Sequence, residues 1–266
     1  MALAIEPAVS VVIPSIGTTG TVHGADRVFV IEAVRSVLAT AGTPIEVVVV
    51  AGREMHQRVI DDLEALAEPG IVRCVPYRDE FNFSATVNLG AAHAVASRLL
   101  LLNDDTEVIS PDWLERMLDA ASDPSVGAVG ARLLFEDGTL QHAGHTYRTS
   151  LDHVGFGLPG TSGGTTGLLH RRRRVAGVTA ACMLTSIEVF DLVGGFSTTL
   201  PGNYNDVDFC MKVRATGRHI VYEPDAVLSH FESKSRVAGI RPEEIELIQR
   251  RWLTDLVDDP FTPVVV

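Results

Sequence analysis

Cysteine is scarce in this 266-residue chain. Only Cys74, Cys182 and Cys210 occur, too scattered for a disulfide framework or a zinc ribbon, so they read as reduced core residues. Basic residues are also in deficit: 22 Lys and Arg against 34 Asp and Glu leave a net charge of −12. That balance argues against nucleic acid as a partner and against broad binding to an anionic membrane, and leaves room only for local basic patches. No apolar run is long enough to cross a bilayer, and the first residues lack the basic start and apolar stretch of a secretory leader. The expectation is a soluble cytoplasmic chain, at most peripheral at the inner face of the cell membrane. Gly-x-Gly-x-x-Gly does not follow the first apolar segment, and residues 15–24 hold no Lys or Arg, which removes both the dinucleotide fingerprint and a basic phosphate loop. There is no internal repeat and no long linker. The sequence stops soon after Asp258, Asp259, Pro260 and Phe261, as one domain of a longer protein would.

What is present is core material. Hydrophobic residues make up 46% of the chain, enough for a large α/β unit. Residues 9–14 read as a first strand, followed by a Gly- and Thr-rich loop over 15–24 and a helix from about Asp26 to Thr40. Strands at 45–51, 71–76 and 98–103 alternate with helices at 54–67 and 84–97. That alternation implies right-handed parallel crossovers. Beyond Asp123 and Pro124 the pattern becomes mixed: an apolar run over 126–135, a turn at Asp137-Gly138, and an extended arm over 139–147 that carries His142 and His145.

The centre of the reading is Leu99 to Leu102 running into Asn103, Asp104 and Asp105. An apolar run without turn signals suits a central strand, and ligands of open α/β sheets bind at the carboxyl ends of such strands. The ordinary alternative is a solvated turn that caps the next helix, 112–121. A second acidic stretch holds Asn203, Asn205, Asp206 and Asp208. It places Asp206 in the first turn of a helix, where the positive helix end favours a carboxylate and where Asn203 or Asn205 can serve as cap. Two residues along a helix point Asp208 away from Asp206, so only one of the pair faces a cleft. Residues 151–170, rich in Gly, Thr and Ser, read as a mobile loop ending in Arg171, Arg172, Arg173 and Arg174. That run is either a solvated charge cluster or a phosphate clamp closing over a diphosphate.

Taken in order, several motifs resemble family 2 glycosyltransferases. They are Val11-Val12-Ile13-Pro14, Asn88-Leu89-Gly90, Leu102 through Glu107, Gln141-His142-Ala143-Gly144, Asn205 through Cys210, and His230-Phe231-Glu232-Ser233. The same motifs resemble the rhamnosyltransferase-like enzymes of bacterial polysaccharide and O-antigen assembly within that family. The resemblance implies a GT-A fold: an α/β, Rossmann-like, mostly parallel sheet flanked by helices, with a mixed acceptor-side half. It implies one domain over 1–266, with a nucleotide-sugar half, 1–124, and an acceptor and base half, 125–266. It also implies a nucleotide-diphosphate-sugar donor, a glycan or lipid-linked glycan acceptor, a divalent Mn²⁺ or Mg²⁺, and inversion at the anomeric carbon.

Residue by residue, the resemblance puts Asp105 on the metal with His230 and Asp104, and makes Asp206 the base. Pro14, Ser15, Asn88, Asn103, Asp104 and Arg171 to Arg174 fall on the donor side, and His142, Asn205 and Asp208 on the acceptor side. Asn103 stands where relatives carry the first Asp of Asp-x-Asp. Ala51-Gly52 stands where many carry an acid that reads the base or ribose, which leaves the donor nucleotide unspecified. Carboxylate plus imidazole ligands suit Mn²⁺ at least as well as Mg²⁺. The alternatives are a sugar nucleotidyltransferase, which the missing basic phosphate loop disfavours, and a non-catalytic carbohydrate- or nucleotide-sugar-binding domain.

Overall fold

The computed structural model describes residues 6–147, 151–231 and 239–261. β1 (Val9–Ser15) is buried along its whole length, as a strand covered on both faces must be. Its alternate residues enter different cores: Val11 and Ile13 join the one built around Trp113, while Val12 joins the one built around Phe196 and Phe209. A hairpin, β2 (Thr19–Val22) and β3 (Ala25–Val28), occupies much of the expected loop, and α1 (Phe29–Thr40) begins after the expected start at Asp26. His23 and Gly24 take φ of 49° and 79° and close a two-residue turn. Asp26 then accepts from the Thr21 hydroxyl across the hairpin instead of opening a helix.

β4 (Ile45–Gly52), α2 (Gln57–Glu64), β5 (Val72–Tyr77), α3 (Phe83–His93) and β6 (Arg98–Leu102) complete a parallel set in the order β6-β1-β4-β5. The Asn82 side chain caps α3 by accepting the Ala85 N–H. Gly90 lets α3 lie close on the sheet, since a Cβ there would stand 2.3 Å from Val12 Cγ1.

The chain continues through β7 (Thr106–Val108), α4 (Trp113–Ala120), β8 (Val126–Leu134), β9 (Leu140–His142), β10 (His145–Thr146), β11 (Asp152–His153), β12 (Arg173–Val175), β13 (Cys182–Ser186), α5 (Ile187–Leu192), α6 (Asn205–Ala215), β14 (His219–His230) and α7 (Pro242–Val257). One ten-stranded sheet runs β12-β14-β8-β13-β6-β1-β4-β5, with β7 on β14 and β9 on β8. β13 is antiparallel to both β6 and β8, while β14 is parallel to β8. The architecture is therefore a largely parallel α/β sheet whose second half is mixed. All three cysteines are free, with Cys182 and Cys210 buried and Cys74 partly so. Among the described residues no helix is long and apolar enough to cross a membrane.

The segment 151–170 is folded against the sheet rather than loose. Arg132 of β8 donates to the carbonyls of Leu169, Gly160 and Ser162, and Leu169 is fully buried. Composition suggested mobility, but one buried guanidinium fixes three carbonyls of that segment.

Candidate functional site

A cavity of about 320 Å³ opens at the carboxyl ends of β1 and β6 and is lined by Pro14, Ser15, Asn103, Asp104, Asp105 and His230, and by Asn205 and Asp206. The turn after β6 puts the acids there. Asn103 N–H donates to Ala181 O (3.0 Å), and the Thr106 hydroxyl donates to Asn103 O (2.8 Å). β7 then pairs with β14 so that Thr106 lies opposite His230, and Phe231 N–H donates to Asp105 O (2.9 Å). Residues more than 120 positions apart are thereby locked together.

Ser15 Oγ donates to Asp104 Oδ2 at 2.6 Å. Burial, with the neighbouring Asp105 adding to it, raises the Asp104 carboxyl above the ordinary range. His230 Nδ1 lies 2.6 Å from Gln141 Oε1. An amide oxygen only accepts, so the proton of a neutral ring sits on Nδ1 and its lone pair on Nε2. That nitrogen is 3.2 Å from Asp105 Oδ1 and 3.1 Å from Asn103 Nδ2. The buried Asn103 Oδ1 has no hydrogen-bond partner among the described residues. The His230 nitrogen, which accepts from the Asn103 amide here, the Asp105 carboxylate beside it and the orphaned Asn103 oxygen are a donor set whose chemistry fits a divalent cation.

Asp206 enters the cavity from the first turn of α6. Its Oδ1 accepts the Val207 N–H at 2.8 Å and its Oδ2 accepts the Ala180 N–H at 3.3 Å. The cap position falls to Tyr204 in a left-handed conformation, φ 56°, with no side-chain cap bond. Neither Asn203 nor Asn205 does that work, since the Asn203 amide donates to Glu244 of α7.

Several expected site residues lie elsewhere. Asp208 is fully buried and points away from the cavity, accepting from Arg251 (2.9 Å) and Trp252 (3.0 Å) of α7 beside Lys212 (3.4 Å). Asn88 grips the backbone of Phe196, donating to its carbonyl and accepting its N–H. It is a fastener between α3 and the segment after α5 and does not line the cavity. His142 is fully buried and sits behind the cavity wall. The four arginines do not line the cavity either. Arg172 pairs with Glu223 (2.5 Å) and Asp119 (2.7 Å), while Arg173 donates to Ala143 O and lies over the Tyr222 ring. Arg172, Arg173 and Arg174 border a separate depression with Asp119, Asp123 and His219.

Arg172→Gln removes the charge partner of the buried Glu223. It should cost about 1–3 kcal/mol and lower the melting temperature measurably, whereas the exposed Arg171→Gln should stay within about 0.5 kcal/mol of wild type.

The residues that went unassigned in the sequence are His145, Tyr147, His153 and Thr179, all on the cavity wall. His142 and His145 carried a hint in their spacing, but His153 was hidden in a Gly-rich stretch. Burial holds His142 well below the usual imidazole range and brings His145 down to about 4. Below pH 6.5 the unfolded chain protonates these rings while the folded chain does not. The unfolded state then binds more protons, and stability falls as the pH drops from 6.5 towards 4. Urea midpoints across that window should show the fall, and His145→Gln should flatten it; an equally steep profile in the variant would remove His145 as a cause.

Comparison with known proteins places this geometry. The family profile described as "Glycosyltransferase like family 2" matches residues 7–253. An O-antigen biosynthesis protein, RfbC, of Myxococcus xanthus is 33% identical over 238 residues, 86% of this chain and 19% of its own length. An uncharacterized protein, y4gI, of Sinorhizobium fredii is 40% identical over 194 residues, 69% of this chain and 21% of its own. The chain thus spans about a fifth of these curated relatives.

Among solved structures, GalNAc-T7 with UDP, GalNAc and Mn²⁺ superposes with a TM-score of 0.66 at 14% identity, over 91% of this chain and 48% of that one. The mannosyltransferase PcManGT of Pyrobaculum calidifontis, in complex with GDP-Man and Mn²⁺, gives 0.58 at 17%, over 98% and 67%. TarS of S. aureus gives 0.61 at 13%, over 96% and 40%. The fold is GT-A, and the chain belongs to glycosyltransferase family 2.

Proposed function

We propose that this chain is an inverting, metal-dependent glycosyltransferase that moves a sugar from a nucleoside-diphosphate-sugar donor to a hydroxyl of a glycan or lipid-linked glycan, in bacterial cell-surface polysaccharide synthesis. The observation that carries this reading is one cavity lined by two acidic sets of separate origin: Asn103 to Asp105 with His230 from strand ends, and Asp206 from a helix start. The O-antigen relative and the two neighbours solved with UDP or GDP-Man and Mn²⁺ support it.

Asp105 and His230, with Asp104, would hold Mn²⁺ or Mg²⁺. Such an ion, when bound, neutralises the charge that gathers on a departing diphosphate. Pro14, Ser15 and Asn103 form the donor side, with Ser15 fixing the Asp104 carboxylate, and Asn205 lies on the acceptor side. Asp206 takes the acceptor's proton, so that the hydroxyl oxygen attacks the anomeric carbon as the diphosphate leaves. One displacement uses one base and no covalent nucleophile, which gives inversion.

The test is a thermal-shift series with UDP, GDP, dTDP and their sugars, with and without Mn²⁺. A ligand at 100 times its Kd should stabilise the fold by about 2.7 kcal/mol. No shift with any of them, together with no transfer from any sugar nucleotide, would overturn the reading. Gln at both Arg171 and Arg174, which lie off the cavity, should leave the donor KM unchanged in steady-state kinetics.

A further inference from the structure

The transfer just described leaves one chemical cluster unused. His142, His145 and His153 present nitrogen atoms that all lie within 4.8 Å of one another, with ring centroids 4.7–5.1 Å apart. The local fold assembles them. β10 pairs with β11 so that His145 stands opposite His153, and the reversal at Gly144, φ 96°, folds His142 back against both.

Two of the rings are oriented in the way metal-bound histidines are, by a hydrogen bond at the far nitrogen. His153 Nδ1 donates to Gln141 O at 3.2 Å, which leaves the ring's lone pair on Nε2. His145 Nδ1 meets the Tyr147 hydroxyl at 3.0 Å, so Nε2 is the nitrogen turned to Asp206, 3.9 Å from its Oδ2. The third ring carries an unexplained cost. His142 Nδ1 is fully buried and has no hydrogen-bond partner among the described residues, which a folded chain seldom tolerates without a reason. Ligation there moves that ring's proton to Nε2 and releases a 3.3 Å contact from the Thr179 N–H, a residue on the cavity wall.

We propose that His142, His145 and His153 form a second metal site for a borderline transition ion of the Zn²⁺ class, with Asp206 as the fourth ligand. Three neutral imidazoles and a carboxylate make a tetrahedral N₃O set that suits Zn²⁺, whereas Mg²⁺ prefers oxygen ligands and does not compete. The site is chemically separate from the Asp105 and His230 set, although Gln141 joins the two: its side chain meets His230 and its carbonyl meets His153. An ion held here occupies the Asp206 carboxylate, so Zn²⁺ inhibits transfer even while the donor metal is in place. That consequence rests on Asp206 being the base; the binding itself does not.

Co²⁺ is the probe, titrated into the metal-stripped full chain in excess Mg²⁺ and followed by visible absorption. One equivalent should give the intense bands of a four-coordinate ion. His153→Gln, at a half-buried position, and His145→Gln should each weaken binding by at least about tenfold, with thermal melts confirming that both variants fold. Asp105→Asn should leave the titration unchanged, and Asp206→Asn should shift the bands. Binding insensitive to both histidine variants, binding lost in Asp105→Asn, or only the pale bands of a six-coordinate ion would overturn the site. Inhibition by Zn²⁺ relieved in His153→Gln then joins the site to turnover; a full Co²⁺ titration in a chain that Zn²⁺ does not inhibit would keep the site and remove the base assignment.

Discussion

Asp206→Asn should lower kcat by a factor on the order of 10² to 10⁴ while leaving the donor KM close to wild type, the signature of a lost general base. The substitution keeps the shape of the side chain and an oxygen for the Val207 N–H, which Oδ1 accepts at 2.8 Å, and gives up the longer 3.3 Å bond that Oδ2 accepts from the Ala180 N–H. Its main chemical loss is the capacity to take a proton. Asp208 is the natural rival, two residues further along the same helix, and the geometry separates the two. Asp206 lines the cavity, whereas Asp208 is fully buried and engaged by Arg251, Trp252 and Lys212.

Asp208→Ala should therefore act on stability, at about 3–5 kcal/mol for breaking a buried charge cluster, through loss of the tie between α6 and α7. Rates and melting temperatures measured on both variants decide the assignment. Near-normal turnover in Asp206→Asn, beside an inactive but fully stable Asp208→Asn, would reverse it. Product stereochemistry is an independent check: retention of the donor's anomeric configuration would remove the single displacement altogether.

How much of this was legible in the sequence depended on the range of the interaction concerned. The strand at Arg98–Leu102 and the acids that follow it were legible because a continuous apolar run breaking into carboxylates is a local signal. The opposed directions of Asp206 and Asp208 were legible too, because helical rotation is local. Arg172 was not, because the partners that fix it, Asp119 and Glu223, lie 53 and 51 residues away, and a run of four arginines looks the same whether it is free or paired.

Asn88 was misassigned for a similar reason: an amide fastening a backbone 108 residues distant is indistinguishable in one dimension from an amide that faces a ligand. The segment 151–170 shows the limit of composition. Its glycines suit a loose loop, yet the order comes from a guanidinium on β8, which no local count contains. His153 joins the cavity wall only because β11 pairs with β10.

The last expectation concerns the donor metal. Mn²⁺ should bind weakly to the chain alone and more tightly by a factor of about 5 to 150 in the presence of a nucleoside diphosphate. Asp105→Asn should abolish that coupling. Asp105, His230 and Asp104 offer three side chains, two of them adjacent carboxylates only 3% and 8% exposed. Such a pair repels itself in a poorly solvated pocket, so a cation is attracted there.

A hard divalent ion takes about six ligands, and three protein groups leave positions that water holds in the chain alone and that charged diphosphate oxygens take over when they bind. Each partner therefore completes the other's surroundings, and linkage requires that the metal raise diphosphate affinity by the same factor. Calorimetric titrations of Mn²⁺ with and without UDP or GDP, in wild type and Asp105→Asn, measure both sides of this cycle. Equal Mn²⁺ affinity in the two wild-type titrations would mean that the protein alone satisfies the ion. An unchanged coupling in Asp105→Asn would move the ion away from the turn after β6.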